Sequence, residues 1–340
     1  MMTSRERVYK TLNHEPVDRA PRQVWALPGV PKYYTEAWQR FNKKYPGDIG
    51  GPALRYGVPK RARGIPSEVG EYVDEFGSVW HVGEPGVIGE VKEPAIANLD
   101  DAASYELPWE LLDGADFSQA NASCAASDLF ILAGSLTRPF ERLQFLLGTE
   151  QTLMGLAYGD ERLLKLLERL HEFECRDLAM LAATDVDGLS FMDDWGSQNA
   201  LLISPAMWRQ VFKPMYAEYC SIIRGAGKKV FFHSDGFIEA IYPDLIEVGV
   251  DALNSQLFCM DIEKLGELYQ GKLTWWGEID RQWVLPFGTP VQAREAVRRV
   301  RRALDKGQGG VIAECEWGMD TPAENVEAVF EAWLEPRESF

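Results

Sequence analysis

From residue 129 onward, short apolar runs alternate with longer stretches in which leucines recur at helical spacing. Runs of four or five apolar residues are typical of strands that are buried on both faces. They predict eight strands, near residues 22–27, 48–55, 129–133, 188–192, 230–232, 252–254, 273–276 and 310–313. Eight strands separated by helices favour an α/β fold, a (β/α)8 TIM barrel that forms one domain over residues 1–340.

Capping residues mark the starts of several predicted helices. Ser204 precedes a proline that suits the first helical position. Thr289 with Gln292, and Thr321 with Glu324, match the capping box, in which residues three apart satisfy each other's backbone N–H groups. No glycine-rich turn of the phosphate-binding type follows a predicted strand, which argues against a doubly wound dinucleotide fold.

The pattern changes between about Tyr56 and Ala103. Two short alternating segments, residues 77–82 and 86–91, are separated by glycine and proline. Alternation over a few residues between turn-forming residues is typical of antiparallel strands. We therefore expect a β-hairpin inserted into a loop of the barrel.

The composition of the chain argues against nucleic acid and membranes as partners. The formal net charge of −17 argues against nucleic acid, which demands a basic surface. No apolar run approaches the roughly 20 residues that a membrane span needs, and the first residues lack the apolar core of a signal peptide. The five cysteines are scattered and odd in number, which fits a reducing compartment. We expect a cytoplasmic protein with no membrane attachment.

In a barrel of this kind the active site lies at the carboxyl ends of the strands. The polar and sulfur side chains predicted there are Ser135, Thr137, Arg138, Asp193, Asp194, His233, Asp235, Asn254, Gln256, Glu278, Asp280, Glu314, Cys315 and Glu316. Charged groups at the ends of buried strands need partners. The set therefore suggests a metal site or an acid–base site.

Three residues carry the metal hypothesis. Alternation along one strand puts His233 and Asp235 on the same side. Imidazole, carboxylate and the thiolate of Cys315 are all zinc ligands, and three protein ligands leave one position open for catalysis. The alternative is a histidine that is satisfied by a neighbouring carboxylate and a cysteine that packs as a small apolar residue.

Motifs spread over nearly the whole chain carry a family resemblance. They are RERV at 5–8, PVDRAP at 16–21, MDDWGSQ at 192–198, SP at 204–205, KVFFHSDG at 229–236, WGEID at 276–280 and DTPAEN at 320–325. Together they resemble the uroporphyrinogen decarboxylase superfamily, which includes cobalamin-dependent methyltransferases. The fold that the resemblance implies is again a (β/α)8 barrel.

Two departures from the superfamily pattern bear on the activity. Decarboxylases carry an arginine-rich motif after the first strand, and residues 22–30 lack the matching arginines, so a substrate with many carboxylates would meet little positive charge. The methyltransferase branch resembles zinc enzymes in which the ligands are a His-x-Cys pair and a cysteine far along the chain. His233 and Cys315 match the first and last of these ligands, and Asp235 stands in the place of the middle cysteine.

The resemblance implies a corrinoid-dependent methyltransferase that moves a methyl group from a small O- or N-methylated donor to cobalamin carried by a partner protein. The metal ligands it implies for zinc are His233, Cys315, Asp235 and Glu278. The residues expected in catalysis are Asp194, Glu316 and Asp193, and those expected at the cofactor are Asn254, Gln256 and Ser135. The alternatives are a uroporphyrinogen decarboxylase-type tetrapyrrole enzyme and a non-catalytic corrinoid-binding barrel, and a homodimer also stays open.

Overall fold

The structure is a computed structural model that describes residues 2–337, and its central feature is a parallel sheet curved nearly into a closed barrel. The strands are β1 (Arg22–Ala26), β2 (Ile49–Gly50), β3 (Gly70–Val73), β4 (Val79–Val82), β5 (Glu90–Glu93), β6 (Phe130–Gly134), β7 (Gly188–Met192), β8 (Lys229–Ser234), β9 (Ala252–Ser255), β10 (Thr274–Trp276) and β11 (Val311–Trp317). Eight of them form the parallel sheet in the order β1-β11-β10-β9-β8-β7-β6-β2. The predicted (β/α)8 TIM barrel is confirmed.

Helices follow most of the barrel strands and cover the outside of the barrel. They are α1 (Ser4–Leu12), α2 (Gly29–Tyr33), α3 (Thr35–Lys44), α4 (Glu110–Asp113), α5 (Ala120–Ala125), α6 (Pro139–Leu147), α7 (Thr149–Tyr158), α8 (Glu161–Ala182), α9 (Pro205–Gly225), α10 (Tyr242–Val248), α11 (Ile262–Tyr269), α12 (Val284–Phe287), α13 (Pro290–Leu304) and α14 (Ala323–Ala332). Short 3₁₀ turns occupy Leu99–Ala103, Glu239–Ile241 and Leu257–Cys259. None of the helices described is long and apolar enough to cross a membrane.

The capping predictions were right for two helices and wrong for the third. The Ser204 hydroxyl accepts the N–H of Met207 at the start of α9, and Thr289 forms the full capping box with Gln292. The box predicted from Thr321 does not form, because Pro322 is the capping residue of α14 and Glu324 then comes one position too early.

The insertion has three strands rather than two. β3, β4 and β5 form an antiparallel sheet with β4 in the middle. The first predicted segment contains β4, and the second overlaps β5 only at residues 90–91. β3 was missed because Gly70 and Glu71 weaken its strand pattern. The ring of Trp80 lies 4.9 Å from that of Phe145, and Arg142 pairs with Asp74 at 2.9 Å. These contacts fix the small sheet against α6.

The barrel is filled at its amino-terminal end. Val8 and Leu12 of α1 belong to one apolar cluster with Phe130, Phe231 and Ile312, whose side chains come from strands around the barrel. A much larger apolar cluster lies between the strands and the surrounding helices. Because α1 closes the amino-terminal end, the interior opens at the carboxyl ends of the strands.

One carboxylate joins the first strand to the second. Asp48 donates its N–H to the carbonyl of Arg22 and accepts the N–H of Arg22 on its Oδ2, both at 2.8 Å. The same buried carboxylate accepts from Arg7 at 2.7 Å and from Arg19 at 2.6 Å. Since β2 is only two residues long, these bonds complete the barrel where the strand pairing is weakest.

Asp48→Asn should destabilise the protein by about 3–5 kcal/mol, because it leaves the buried Arg7 and its neighbour Arg19 without their shared counter-charge. Asp18→Asn is the matched control, since Asp18 also pairs with Arg7 but its side chain is 45% exposed. The control should cost about 1 kcal/mol or less. Denaturant unfolding of both variants measures the difference, and equal costs would contradict this role for Asp48.

Candidate active site

Alternation along β11 decides which side chains reach the barrel interior. Ile312 lies in the inner apolar cluster, the Glu314 carboxylate accepts from Asn254 of β9 at 3.1 Å, and Glu316 pairs with Arg281 at 2.9 Å. Cys315 lies between the two glutamates and belongs to the apolar cluster outside the strands. Burial raises the pKa of its thiol. The structure therefore does not bring Cys315 together with His233, because neighbouring residues of one strand point to opposite faces.

The imidazole of His233 is held in one orientation. The Asn254 amide nitrogen donates to the carbonyl of Trp276 at 2.6 Å, so its oxygen is the acceptor that faces His233 Nδ1 at 2.7 Å. The Trp25 ring packs against the imidazole with 5.1 Å between centroids. Nδ1 therefore carries a proton, and Nε2 faces the carboxylates of Asp194 and Asp235.

Asp194, His233 and Asp235 form the centre of the site. Each offers a ligand atom, and the three atoms lie within 4.8 Å of one another. His233 Nε2 is 3.5 Å from Asp194 Oδ1 and 3.6 Å from Asp235 Oδ1. Burial opposes the imidazolium charge, but the two carboxylates outweigh it and raise the pKa of His233 to about 8. Burial likewise disfavours the Asp194 carboxylate, yet His233 lowers its pKa overall.

Asp235 has one oxygen in use and one free. Its Oδ2 pairs with Arg281, which also holds Glu316. Its Oδ1 is buried and accepts no hydrogen bond from any residue within 2–337. A buried carboxylate oxygen without a donor is costly unless a cation or proton completes it.

Two further carboxyl groups lie beneath this centre. Glu278 and Glu314 are 3% and 0% exposed, and Oε1 of each lacks a hydrogen-bond partner among the described residues. Burial raises the pKa of Glu278 to about 8, with Arg281 opposing the rise, and it raises that of Glu314 well above the usual range. Burial therefore favours the protonated, uncharged form of both groups.

Glu278 has a strained backbone. Its φ is +103°, in the region that side chains other than glycine rarely adopt. The preceding Gly277 has a φ of +63°, and a methyl group there would lie 2.1 Å from the Cβ of Glu314. A glutamate kept in this conformation, buried and without a full set of partners, suggests function rather than packing.

Comparison with known proteins agrees with this architecture. Residues 73–335 match the family described as "Uroporphyrinogen decarboxylase (URO-D)". The chain belongs to this family. Among solved structures, it is similar to a methyltransferase from Methanosarcina mazei, with 17% sequence identity, a TM-score of 0.70 and 98% of each chain covered. A xylanase of glycoside hydrolase family 10 from Gloeophyllum trabeum shares 11% identity over 96% of this chain, at a TM-score of 0.46 that supports no inference. No curated protein matches.

In this URO-D family member, Asp193 and Asp194 have different environments although they are adjacent. Asp193 is fully buried, and its carboxylate accepts the N–H groups of Phe140 and Glu141 and the hydroxyl of Tyr216 at 2.9–3.2 Å. Those bonds cap α6, so Asp193 supports the site rather than facing the His233 centre. Burial still raises its pKa well above the usual range.

The three residues predicted to contact a cofactor lie at different places. Asn254 orients His233, as described above. Gln256 accepts the N–H of Gly236 at 3.1 Å and lines a cavity of about 50 Å³ with Glu278 and Arg281. Ser135 donates its N–H to the carbonyl of Ser190, and its hydroxyl lies near the buried Glu174. The structure brings the first two to the His233 centre and leaves Ser135 in the loop after β6.

Sequence reasoning missed Arg281, Trp25 and Glu141. Arg281 follows the strand-end residue Asp280. A search of the sequence for an arginine or lysine next to the predicted carboxylates could have found it. Glu141 is 9% exposed and lines a cavity of about 410 Å³ together with Asp194 and residues of β5. Burial and Asp194 raise the pKa of Glu141 to about 7. Nothing in the local pattern pointed to it, because its position depends on the packing of α6.

The loops that carry the site are bonded to each other. Gly196 donates its N–H to the carbonyl of Asp235 at 3.0 Å, and Asp235 donates to Asp194 Oδ1 at 2.9 Å. The backbones of Gly196 and Gly236 approach so closely that a Cβ on Gly236 would lie 2.2 Å from Gly196. Only glycine permits this contact, which sets the spacing between Asp194 and Asp235.

Gly236→Ala should lower the free energy of unfolding by about 3 kcal/mol, through the clash with Gly196 and the strain of a φ of +79°. Gly225→Ala is the control, because it ends α9 with no atom near the added methyl group. That variant should be neutral or more stable by up to about 1 kcal/mol. Chemical unfolding measures both, and a Gly236 variant as stable as the control would refute the close contact.

At position 278, glycine should be more stable than alanine by about 1 kcal/mol, because Glu278→Gly and Glu278→Ala both remove the carboxylate but only glycine relieves the positive φ. In an ordinary helical position the order is reversed. Thermal unfolding of the two variants gives the sign directly, and an alanine variant that is the more stable would show that the backbone is unstrained.

Proposed function

We propose that this URO-D family member is a methyltransferase that moves a methyl group from a small O- or N-methylated donor to a corrinoid protein, with the help of zinc. The observation that carries the proposal is the arrangement of His233 Nε2 opposite the free oxygen of Asp235, with Asp194 beside them. The similarity of fold to the Methanosarcina mazei methyltransferase supports it.

The residues present fit a divalent metal. One imidazole and two carboxylates are zinc ligands, and together they balance its charge. Asn254 fixes the imidazole through Nδ1, which is how proteins orient a ligating histidine. The unpartnered Oδ1 of Asp235 is the oxygen that a cation would satisfy. We therefore assign the ligands to Asp194, His233 and Asp235, and we leave out Cys315 and Glu278.

When bound, the metal would act as a Lewis acid toward the heteroatom of the methyl donor. Asp194 and Asp235 are suited to be ligands rather than acids, because Asp194 stays ionised. Glu316 is committed to Arg281. Glu278 keeps its proton and lines the cavity beside Arg281, so we assign to it the protonation of the leaving group.

Aromatic side chains keep water away from one side of the centre. Trp25 packs on His233, and Trp276 meets Trp25 edge to face with 5.1 Å between centroids. The indole of Trp276 donates to Gln23 at 2.7 Å, which fixes the ring. An apolar surface of this kind strengthens the electrostatic interactions of the ligands and suits a small apolar methyl group.

The negative charge at the open end of the barrel argues against the decarboxylase alternative. Asp194, Asp235, Glu278, Glu314 and Glu316 all lie there, and Arg281 is paired with two of them. A tetrapyrrole with many carboxylates would be repelled by Asp194 and Asp235. A non-catalytic corrinoid-binding barrel is the other alternative, and the experiment below separates it from the proposal.

The test measures zinc and methyl transfer in the same preparations. Wild-type protein should bind zinc at this site and methylate a reduced corrinoid protein from at least one of a panel of methyl ethers and methylamines. His233→Gln and Asp235→Asn should lose methyl transfer, and one equivalent of zinc per chain should bind 10-fold or more weakly than in the wild type. Cys315→Ser should keep both, since its thiol lies outside the barrel.

Asp261→Asn is the matched control, because Asp261 caps α11 away from the centre and an asparagine caps nearly as well. Two results would overturn the proposal. The first is a wild-type zinc affinity that His233→Gln leaves unchanged. The second is a wild-type protein that neither binds zinc at this centre nor transfers methyl from any donor, which would favour the non-catalytic barrel.

A further inference from the structure

A second group of metal-ligating side chains lies outside the barrel, between α8 and α9. His171 and Cys175 are one turn apart on α8 and so share a face. Glu218 of α9 reaches His171 Nε2 at 3.0 Å, and Cys175 Sγ lies 3.8 Å from the same nitrogen. One ligand atom from each lies within 4.8 Å of the other two.

We propose that His171, Cys175 and Glu218 form a second site for a thiophilic divalent cation such as zinc, which ties α8 to α9. In a tetrahedral zinc site with bonds of about 2.0–2.3 Å, neighbouring ligand atoms are about 3.5 Å apart. The observed separations of 3.0 and 3.8 Å lie close to that spacing. Small side-chain adjustments on two fixed helices therefore suffice to complete the site.

The imidazole of His171 is already positioned for this role. Its Nδ1 lies 3.0 Å from the hydroxyl of Tyr219, which is fully buried on α9. A ligating histidine commonly uses one nitrogen for the metal and the other for such a neighbour. With Nδ1 occupied by Tyr219, a cation would take the place of the proton that Nε2 shares with Glu218.

The charges around the group favour a cation. The carboxyl groups of Glu218 and Glu174 lie near the Cys175 thiol, and a bound cation would offset their negative charge. On binding, a metal–sulfur bond replaces the S–H bond and the proton leaves to solvent. The thiolate and Glu218 then balance the two charges of the cation. The Glu218 side chain is 57% exposed, which leaves room for a water ligand.

Titration with Co²⁺ tests the site, because a thiolate ligand to Co²⁺ gives a near-ultraviolet charge-transfer band that nitrogen and oxygen ligands do not give. The centre of Asp194, His233 and Asp235 contains no sulfur, so the band reports this second site alone. Wild-type protein should show the band at one equivalent per chain, and zinc should remove it by displacement. Cys175→Ser and His171→Gln should lack it.

Cys259→Ser is the matched control, since Cys259 is the other partly exposed thiol among the described residues and lies far from α8 in the chain. It should keep the band.

Zinc should also raise the melting temperature of the wild type more than that of Cys175→Ser. If the core variants fail to fold, the exposed Glu218→Gln replaces them and should weaken Co²⁺ binding 10-fold or more. A wild type without the band, or a band lost in Cys259→Ser instead, would overturn the proposal.

Discussion

The barrel depends on the closure that Asp48 provides. Parallel ladders join the eight strands in order from β1 to β2, and β2, only two residues long, pairs with β6. Among the described residues no ladder joins β2 to β1. Asp48 supplies the link to β1 with both its backbone and its side chain, and Arg7 of α1 and Arg19 bind the same carboxylate. The Asp48 carboxylate therefore takes part both in closing the sheet, through Arg22, and in holding α1 at the amino-terminal end of the barrel, through Arg7.

The sequence predicted the barrel well because most of its strands are buried and contain short apolar runs. It also brought His233, Asp235 and Asp194 to one rim, since Asp194 follows β7 and the other two lie at the end of the neighbouring parallel strand β8. It failed for Cys315, because the phase of alternation along β11 is decided by which of Ile312 and Ala313 faces inward, and both are apolar. Arg281 and Glu141 could not be predicted, since their places depend on loop and helix packing.

The mouth of the barrel separates its carboxyl groups by function. Asp193 is used to hold α6, Asp194 and Asp235 surround His233, and burial favours the protonated forms of Glu278 and Glu314. Arg281 pairs with Asp235 and Glu316. A site with this many acids remains folded because hydrogen bonds, one arginine and burial keep only part of it charged at a time.

The mutual bonding of the loops after β7 and β8 has a kinetic consequence. Gly196 and Gly236 hold Asp194 and Asp235 at a fixed spacing before any ligand arrives, so the conformational entropy of assembling these groups is lost during folding rather than during binding. Neither loop can swing away alone, because each donates hydrogen bonds to the other. An ion held there would exchange with solvent only as fast as the two loops separate together, and its residence time would report the local stability of the β7–β8 edge.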